Sequence, residues 1–392
     1  MVRLLVVLML TAAGSLVPAL AAPTAEAGTA MCGGAVVTID LNQPGAPDPE
    51  RDARDVVLGT PGGDRIETGA GADVVCAGAG GDVVRGGRGN DTLYGEAGAD
   101  LIDGAAGFDH LYGNAGADTL RGGRLQDDLY PGGGAPSGRR DRSYGGADID
   151  LLHSSSGNDL LAGGSGPDVV LYDLVSDATE GVIVDLMVAG RQDTGAGGLD
   201  EIVDITNLDG GAGDDILSGD RRRNRIHSGG GADVLKGRDG NDVLEGGAVA
   251  RGGKGTDWIA GAERAYGGPG ADQLTSSAAD QVLVGGPGSD TVRFPGDGCR
   301  CTDPADGVMI DLALDGPQDT QSAGWDEVVG IENVLTARGD DVVSGNSASN
   351  RLESQSGDDI LNGREGTDWL DGGSDHDTCN GGPGHDHIED CE

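Results

Sequence analysis

Carboxylates recurring at a fixed spacing are the first chemistry the chain offers. From Gly59 to Arg121 seven nine-residue units run without a gap, and they place aspartates at Asp64, Asp73, Asp82, Asp91, Asp100, Asp109 and Asp118. Glycines precede them by two positions, as at Gly89, Gly98, Gly107 and Gly116, and the fullest unit, GGRGNDTLY, opens on Gly86. Glycine lets a backbone turn sharply and bring its carbonyl oxygens together. An aspartate aimed at the same point adds a charged oxygen, and such a hard, all-oxygen donor set suits calcium far better than zinc or copper. The same unit returns with Asp150, Asp159 and Asp168 beside Gly163 and Gly166. It returns again with Asp215, Asp233, Asp242, Asp257, Asp272 and Asp290, where Gly252, Gly255, Gly267, Gly270, Gly285 and Gly288 open the turns. A last run holds Asp341, Asp359, Asp368, Asp377 and Asp386 with Gly381 and Gly384. All of these are expected metal ligands. Asn224, Gln281 and Asn350 stand where a carboxylate is due, so their turns are expected to bind calcium weakly or not at all.

Other reactive side chains do not assemble into a catalytic pattern. Ser165 lies in GGSGP, which is not the G-x-S-x-G of a nucleophile elbow. His385 and His387 flank Asp386, and His376 lies one repeat unit earlier, which makes zinc a second reading for that corner. These histidines, with His110, His153 and His227, fall in variable positions expected to face solvent. Trp258 and Trp369 follow repeat aspartates and read as surface packing rather than a carbohydrate platform, and Arg221 to Arg223 read as neutralising nearby carboxylates. No enzyme is expected, because the repeats leave no room for a separate catalytic domain.

The elements that must position the aspartates follow from the rest of the unit. An aliphatic residue stands two places after each aspartate, at Ile66, Val75, Val84, Leu93, Ile102, Leu111 and Leu120, and it is the only reliably apolar position in nine. It must start a very short strand and point inward. Two units then make one coil of eighteen residues, and stacking coils about 4.8 Å apart lines up aliphatics in one column and aspartates in another. Glycine-rich Asx turns without an ion are the alternative for any single copy. Many copies in register favour a cation, because a column of like charges otherwise repels itself.

The unit G-G-x-G-x-D-x-U-x, where U is aliphatic, resembles the calcium-binding nonapeptide of the RTX (repeats-in-toxin, hemolysin-type) family. That resemblance implies an all-β fold, a parallel β-roll or β-helix solenoid with several calcium ions held between adjacent turns. Many RTX proteins are exported through an uncleaved C-terminal signal. This chain begins instead with a leader-like segment, so neither that export route nor toxin activity carries over.

Composition sets the remaining bounds. With 76 glycines, 3% aromatic residues and a net charge of −41, the chain cannot build an ordinary core and would read as disordered but for its periodicity. Its charge disfavours nucleic acid as a partner. Residues 1–22 read as a secretory signal, with an uncleaved membrane anchor as the alternative, and no other segment is apolar enough to span a bilayer. Six cysteines fit an oxidising compartment. Of the fifteen possible pairings, Cys32 with Cys76, Cys379 with Cys391 and Cys299 with Cys301 are expected.

The organisation reads as a cap and linker over 23–54, a first array over 55–171, a longer-strand insert over 172–208, a second array over 209–296, a second insert over 297–336 and a third array with a C-terminal cap over 337–392. The two inserts are a duplication: GVIVDL at Gly181 and DEIVDITNL at Asp200 return 126 residues later as GVMIDL at Gly307 and DEVVGIENV at Asp326. In the second array GGAVAR and GAERAY read as six-residue insertions that would bulge from one face. The expected function is a secreted calcium-binding structural or interaction module, with an adhesin or surface-layer component as the alternative and an RTX-tailed exported hydrolase behind both. Calcium is the expected cofactor and partner, with no nucleic acid and no membrane span after signal cleavage.

Overall fold

The computed structural model describes residues 30–43, 53–132, 140–174, 181–277, 279–295 and 307–392. The leader segment, most of the PGGGAPSGRR stretch, and Cys299 with Cys301 lie outside the described residues. Apart from one 3₁₀ turn at Gln321–Ala323, the described regular structure is β. Among the described residues no helix is long and apolar enough to cross a membrane.

The chain winds into a parallel solenoid with two sheet faces. One face is a single run of eighteen strands, from Ile39–Asp40 to His387–Glu389, in which each strand is parallel to the one a coil earlier. The other face is divided among three sheets. The first runs from Arg65–Ala70 to Leu199–Val203, the second from Ile183–Asp185 to Trp325–Val329, and the third from Met309–Asp311 to Thr378–Asn380. The divisions fall at the duplicated inserts. There an antiparallel strand, Arg191–Asp193 or Gln318–Asp319, closes the edge of one sheet while Ile183–Asp185 or Met309–Asp311 opens the next.

Strands are short because only one residue in each is compelled inward. Val75, Leu93, Leu111 and Leu129 stack on one face and Ile66, Val84, Ile102 and Leu120 on the other, all at 0–2% exposure. Each such burial contributes about 1.5–3 kcal/mol. The register is eighteen residues over this stretch and twenty-three where the ten-residue stretch intervenes, as Leu129 pairs with Leu152. The aliphatic column lapses at Ser143, whose hydroxyl is buried without a partner. The buried residues accordingly form two large clusters, Ile39 to Leu129 and Leu152 to Leu370, and a small one of Cys32, Val56, Val74 and Cys76.

GGAVAR and GAERAY do not bulge. Leu235 pairs with Ala250 and Ala250 with Ala265, while Leu244 pairs with Ile259 and Ile259 with Leu274, so the coils here are fifteen residues long. The six-residue pieces replace a nine-residue half coil; they drop its aspartate turn but keep a buried residue, Ala250 or Ala265. An added half coil would have exchanged the faces of every later strand, whereas a shortened one keeps the column intact.

Two expected disulfides are present, Cys32–Cys76 and Cys379–Cys391. The first ties the short Met31–Cys32 strand to the second coil, and the second anchors the last residues to the third sheet.

Candidate metal centre

Each regular aspartate divides its work between two oxygens. Oδ1 accepts the backbone N–H of the aspartate one coil earlier: Asp73 donates to Asp91, Asp82 to Asp100, Asp91 to Asp109 and Asp100 to Asp118 at 2.8–2.9 Å. These ladders cross the ten-residue stretch, where Asp127 donates to Asp150 at 2.9 Å, and persist through the shortened coils, where Asp242 donates to Asp257 and Asp257 to Asp272 at 2.8 Å. The aspartates therefore stack in columns, one along each edge of the solenoid.

Oδ2 has no such partner. In Asp73, Asp82, Asp91, Asp100, Asp109, Asp118, Asp127, Asp150, Asp168, Asp215, Asp233, Asp242, Asp257, Asp272, Asp290, Asp359, Asp368 and Asp377 it is buried and accepts no hydrogen bond. One such orphan costs kilocalories, and a stack of them is not a stable end state for a chain with nothing to place beside them. The glycines shape the space at this oxygen. A Cβ on Gly86 would strike the Asp91 carboxylate, and Gly163, Gly252, Gly267, Gly285 and Gly381 stand in the same relation to Asp168, Asp257, Asp272, Asp290 and Asp386. At Gly252 and Gly267 the same missing Cβ would also lie 2.7 Å from a carbonyl oxygen of the next coil, that of Gly267 and Gly285 respectively. Carboxylate and carbonyl oxygens from successive coils thus converge where the side chain is absent.

The third-position glycines do a different job. Gly89 has φ +115° and packs so closely on the carbonyl of Gly71 that any Cβ would overlap it. Gly98, Gly107, Gly116, Gly166, Gly255, Gly270, Gly288 and Gly384 pack likewise on the coil before.

The donor set is therefore one aspartate per turn with backbone carbonyls, and among the described residues no three His, Cys, Asp or Glu side chains converge as a metal cluster. An all-oxygen site mixing carboxylate and carbonyl fits a hard divalent ion of calcium's size. The electrostatics agree. Burial, opposed by the hydrogen bond from the coil below, pushes Asp91, Asp118, Asp150 and Asp215 up to about 7 and Asp127 to about 8. Asp100, Asp109, Asp242, Asp257, Asp272 and Asp290 rise to about 6 for the same reason. These sites resist holding negative charge unless a cation is beside them.

Several aspartates in the expected ligand set are partnered differently. Asp64 accepts from the Thr60 N–H at 2.6 Å and from the Thr60 hydroxyl at 3.1 Å, so both its oxygens are engaged. Asp159 accepts at Oδ2 from the N–H and hydroxyl of Ser155 at 3.3 and 3.0 Å, and Asp341 accepts the Thr336 hydroxyl and the Val308 N–H. The neutral replacements close their turns in the manner of Asp64. Asn224, Gln281 and Asn350 each accept the N–H four residues earlier, from Asp220, Ser277 and Asn346, at 2.6–2.8 Å. Their amide groups then donate to carbonyls of the preceding coil: Asn224 to Thr206, Gln281 to Ala262 and Asn350 to Glu332, at 2.7–2.8 Å. The signal was available in the sequence. Closed turns carry Thr60, Ser155, Asp220, Ser277 or Asn346 four places before the ligand position, where GGRGND has its second glycine.

Asp127, in frame nine residues after Asp118, joins the columns, as do Asp200 and Asp326, which the nonapeptide pattern does not single out as ligands. Asp200 and Asp326 accept the N–H of Asp159 and Gln281 and are steadied by Thr194 and Thr320 at 2.8 Å.

The histidines divide. His110, His227, His376, His385 and His387 are exposed, and the C-terminal ones pair with acids, His376 with Glu392 and His387 with Glu389, rather than converging on one point. His153 is buried, contrary to its expected place at the surface. It ends a stack of Tyr94, Tyr112 and Tyr130 with ring centroids 4.7, 4.7 and 3.9 Å apart, and it bridges Asp128 and Asp173 at 2.9 and 2.7 Å. Burial alone would lower its pKa, but the two carboxylates raise it. Trp369 lies beside Arg351 and His387, and of the arginine run Arg222 pairs with Asp220.

A family model described as the RTX calcium-binding nonapeptide repeat matches residues 52–84, 77–111, 94–129, 137–170, 207–221, 218–250, 259–292, 329–361 and 354–388, which together span more than half of the chain. No curated protein matches it.

Proposed function

Because the chain belongs to the RTX calcium-binding nonapeptide repeat family, we propose that it is a secreted structural or interaction module whose β-roll forms as calcium binds between stacked turns. The observation that carries this reading is the column of buried Oδ2 atoms without a hydrogen-bond partner. When bound, the ion supplies positive charge to those oxygens. The chain's own residues do the rest. Asp Oδ1 fixes the carboxylate through the coil below, the first glycine leaves the space, and the third glycine brings the preceding carbonyl close. A site tenfold above its dissociation constant would add about 1.4 kcal/mol, so several sites would rival the whole stability of a domain. Folding and loading would then be one event, and a calcium-poor cell interior would leave the chain unfolded and exportable.

Secretion is supported by the leader-like first 22 residues and by the disulfides Cys32–Cys76 and Cys379–Cys391, which belong in an oxidising compartment. The role is proposed as non-catalytic. Ser165 is exposed and its hydroxyl is directed to the Gly146 carbonyl at 3.5 Å, and the buried His153 is committed to two carboxylates. Circular dichroism during calcium titration of the chain without its leader tests the proposal. A β signal that appears with calcium is expected; a spectrum unaffected by calcium, with no ion bound at equilibrium dialysis, would overturn it.

A further inference from the structure

Of the two sheet faces of the first array, one is markedly basic. On the strands Arg65–Ala70, Val83–Arg88, Leu101–Ala106, Thr119–Arg124 and Arg142–Ala147, the exposed positions hold Arg65, Arg85, Arg88, Arg121, Arg124 and Arg142. The acids on those strands are Glu67 and Asp103 alone. Arg65 pairs with Glu67, and Arg85 lies 3.8 Å from Asp103. The guanidiniums of Arg88, Arg121, Arg124 and Arg142 form no ion pair or hydrogen bond with another described residue. On the eighteen-stranded face the first-array strands carry no arginine and one acid, Asp128, which pairs with His110 and His153. In a chain of net charge −41, a face this basic is not explained by average composition.

The arginines are also regularly placed. Arg85 and Arg121 both register with Asp103, and Arg88 and Arg124 both register with Ala106, so each pair stands two coils apart. Two coil rises are about 9.6 Å. The four arginines thus occupy the corners of a rectangle in the strand register, with Asp103 beside Arg85 on one edge, at a spacing that glycine packing and the apolar column fix. Most of the chain's negative charge nearby is in the buried ladders, where a bound divalent ion offsets it. Calcium loading would therefore both build this face and unmask its sign.

We propose that the arginine face binds an extended anionic polysaccharide with widely spaced carboxylates, as one per disaccharide. The inference rests on the reading of the protein as a calcium-folded interaction module and names its partner class. Widely spaced charge is what the geometry selects. A polymer charged at alternate sugars can meet one arginine pair after another along the solenoid. Duplex nucleic acid, with a charge every ~1.7 Å of axis, offers far more charge than the rectangle can meet, and the acidic remainder of the molecule repels it.

The test uses the chain without its leader at saturating calcium, with hyaluronan fragments as the probe. Arg88→Glu with Arg124→Glu should weaken binding by tenfold or more, as expected for roughly 1.4 kcal/mol lost from two charge-assisted contacts. Arg225→Glu with Arg293→Glu, the same change of charge on the opposite face, should shift it by no more than about twofold. Equal losses from both pairs, tighter binding of a DNA duplex than of hyaluronan, or a signal that tracks self-association in sedimentation would each overturn the proposal. Circular dichroism on the same samples separates the two readings. No calcium-induced β signal sinks the folding module itself, whereas a normal signal without hyaluronan binding sinks this inference alone.

Discussion

The side-chain amide of Asn224 donates to the backbone carbonyl of Thr206 one coil below, at 2.8 Å, while its Oδ1 accepts the Asp220 N–H at 2.8 Å. Its Oδ1 lies 2.2 Å from where a Cβ on Gly219 would be, the place that Oδ2 of Asp91 takes beside Gly86, and the NH₂ group takes the Oδ1 direction toward the preceding coil. The Asp220 N–H thus meets the oxygen that the other coils leave as an orphaned anion. The same pair of bonds recurs at Asn350 with Glu332 and Asn346. These rungs are filled by the chain itself.

Asn224→Asp, made together with Asp220→Gly so that the turn regains the second glycine of an open unit, should therefore give its coil a calcium dependence. In chelator the variant is expected to be less stable than the parent, because a carboxylate replaces an amide beside a carbonyl. In calcium it should recover, gaining about 1.4 kcal/mol if the new site is tenfold saturated. Thermal melts of both proteins with and without calcium check this, along with ion stoichiometry by isothermal titration. A variant that loses the same stability in both conditions would show that the amide is only a turn residue.

Acidity should substitute for calcium. Asp91, Asp118 and Asp127 carry folded-state values of about 7, 7 and 8, chiefly through burial, against about 3.9 for an unfolded aspartate. A raised folded value means that the folded chain binds the proton more tightly. Their contribution is thus fully present below the unfolded value and is lost as pH rises through 6 to 8. In chelator the β signal is expected to persist near pH 5 and to fade toward pH 8. In calcium it should hold at pH 8, with the calcium midpoint moving to higher concentration as pH falls. Chelated protein whose stability increases with pH would contradict the buried, cation-free ladder.

The sequence showed the ladder but not everything that interrupts it. Spacing alone locates Asp73 to Asp118 and their aliphatic partners, because glycine, aspartate and a lone apolar residue at fixed offsets leave one way to bury anything. Spacing fails where two geometries share one count. Fifteen residues between Asp242 and Asp257 read equally as nine plus a bulge or as one short coil. Only the burial of Ala250 and Ala265, small residues that an apolar pattern overlooks, decides for the second. Asp64 misleads for a local reason: Thr60, four places earlier, supplies the two donors that engage its carboxylate. His153 sits in a variable position yet is buried, because the tyrosine stack one to three coils below shapes a site for a ring.

Ser143 marks a place where the core can be improved. It occupies the inward position between Leu120 and Leu161, is fully buried, and its hydroxyl has no partner. Removing an unsatisfied buried hydroxyl and adding apolar contact should together stabilise by about 1–2 kcal/mol. Ser143→Val is expected to raise the thermal midpoint in calcium and to join the two clusters into one column. A lowered midpoint would show that the site has no room for the second methyl group.

The duplicated inserts are held by a pair that spacing could not reveal. Arg238 donates to both oxygens of Asp185 at 2.7 and 2.6 Å and to the Gly219 carbonyl at 2.8 Å, and Arg364 does the same with Asp311 and Gly345. Each arginine stands at left-handed φ, +84° and +72°, where Gly253 serves in the next coil. Holding a non-glycine residue there costs about 1 kcal/mol, which the clamp on the opening strand must exceed. Arg238→Ala keeps the backbone cost and loses the clamp, so it should destabilise by about 1–2 kcal/mol, a modest figure because both side chains keep some contact with solvent. Arg238→Gly loses the same clamp but relieves the backbone, and it should be milder than the alanine variant by about 1 kcal/mol. Asp185→Asn should then cost stability in the parent and almost nothing beside Arg238→Gly. If it costs the same in both backgrounds, the two residues are not coupled, and the left-handed arginine needs another cause.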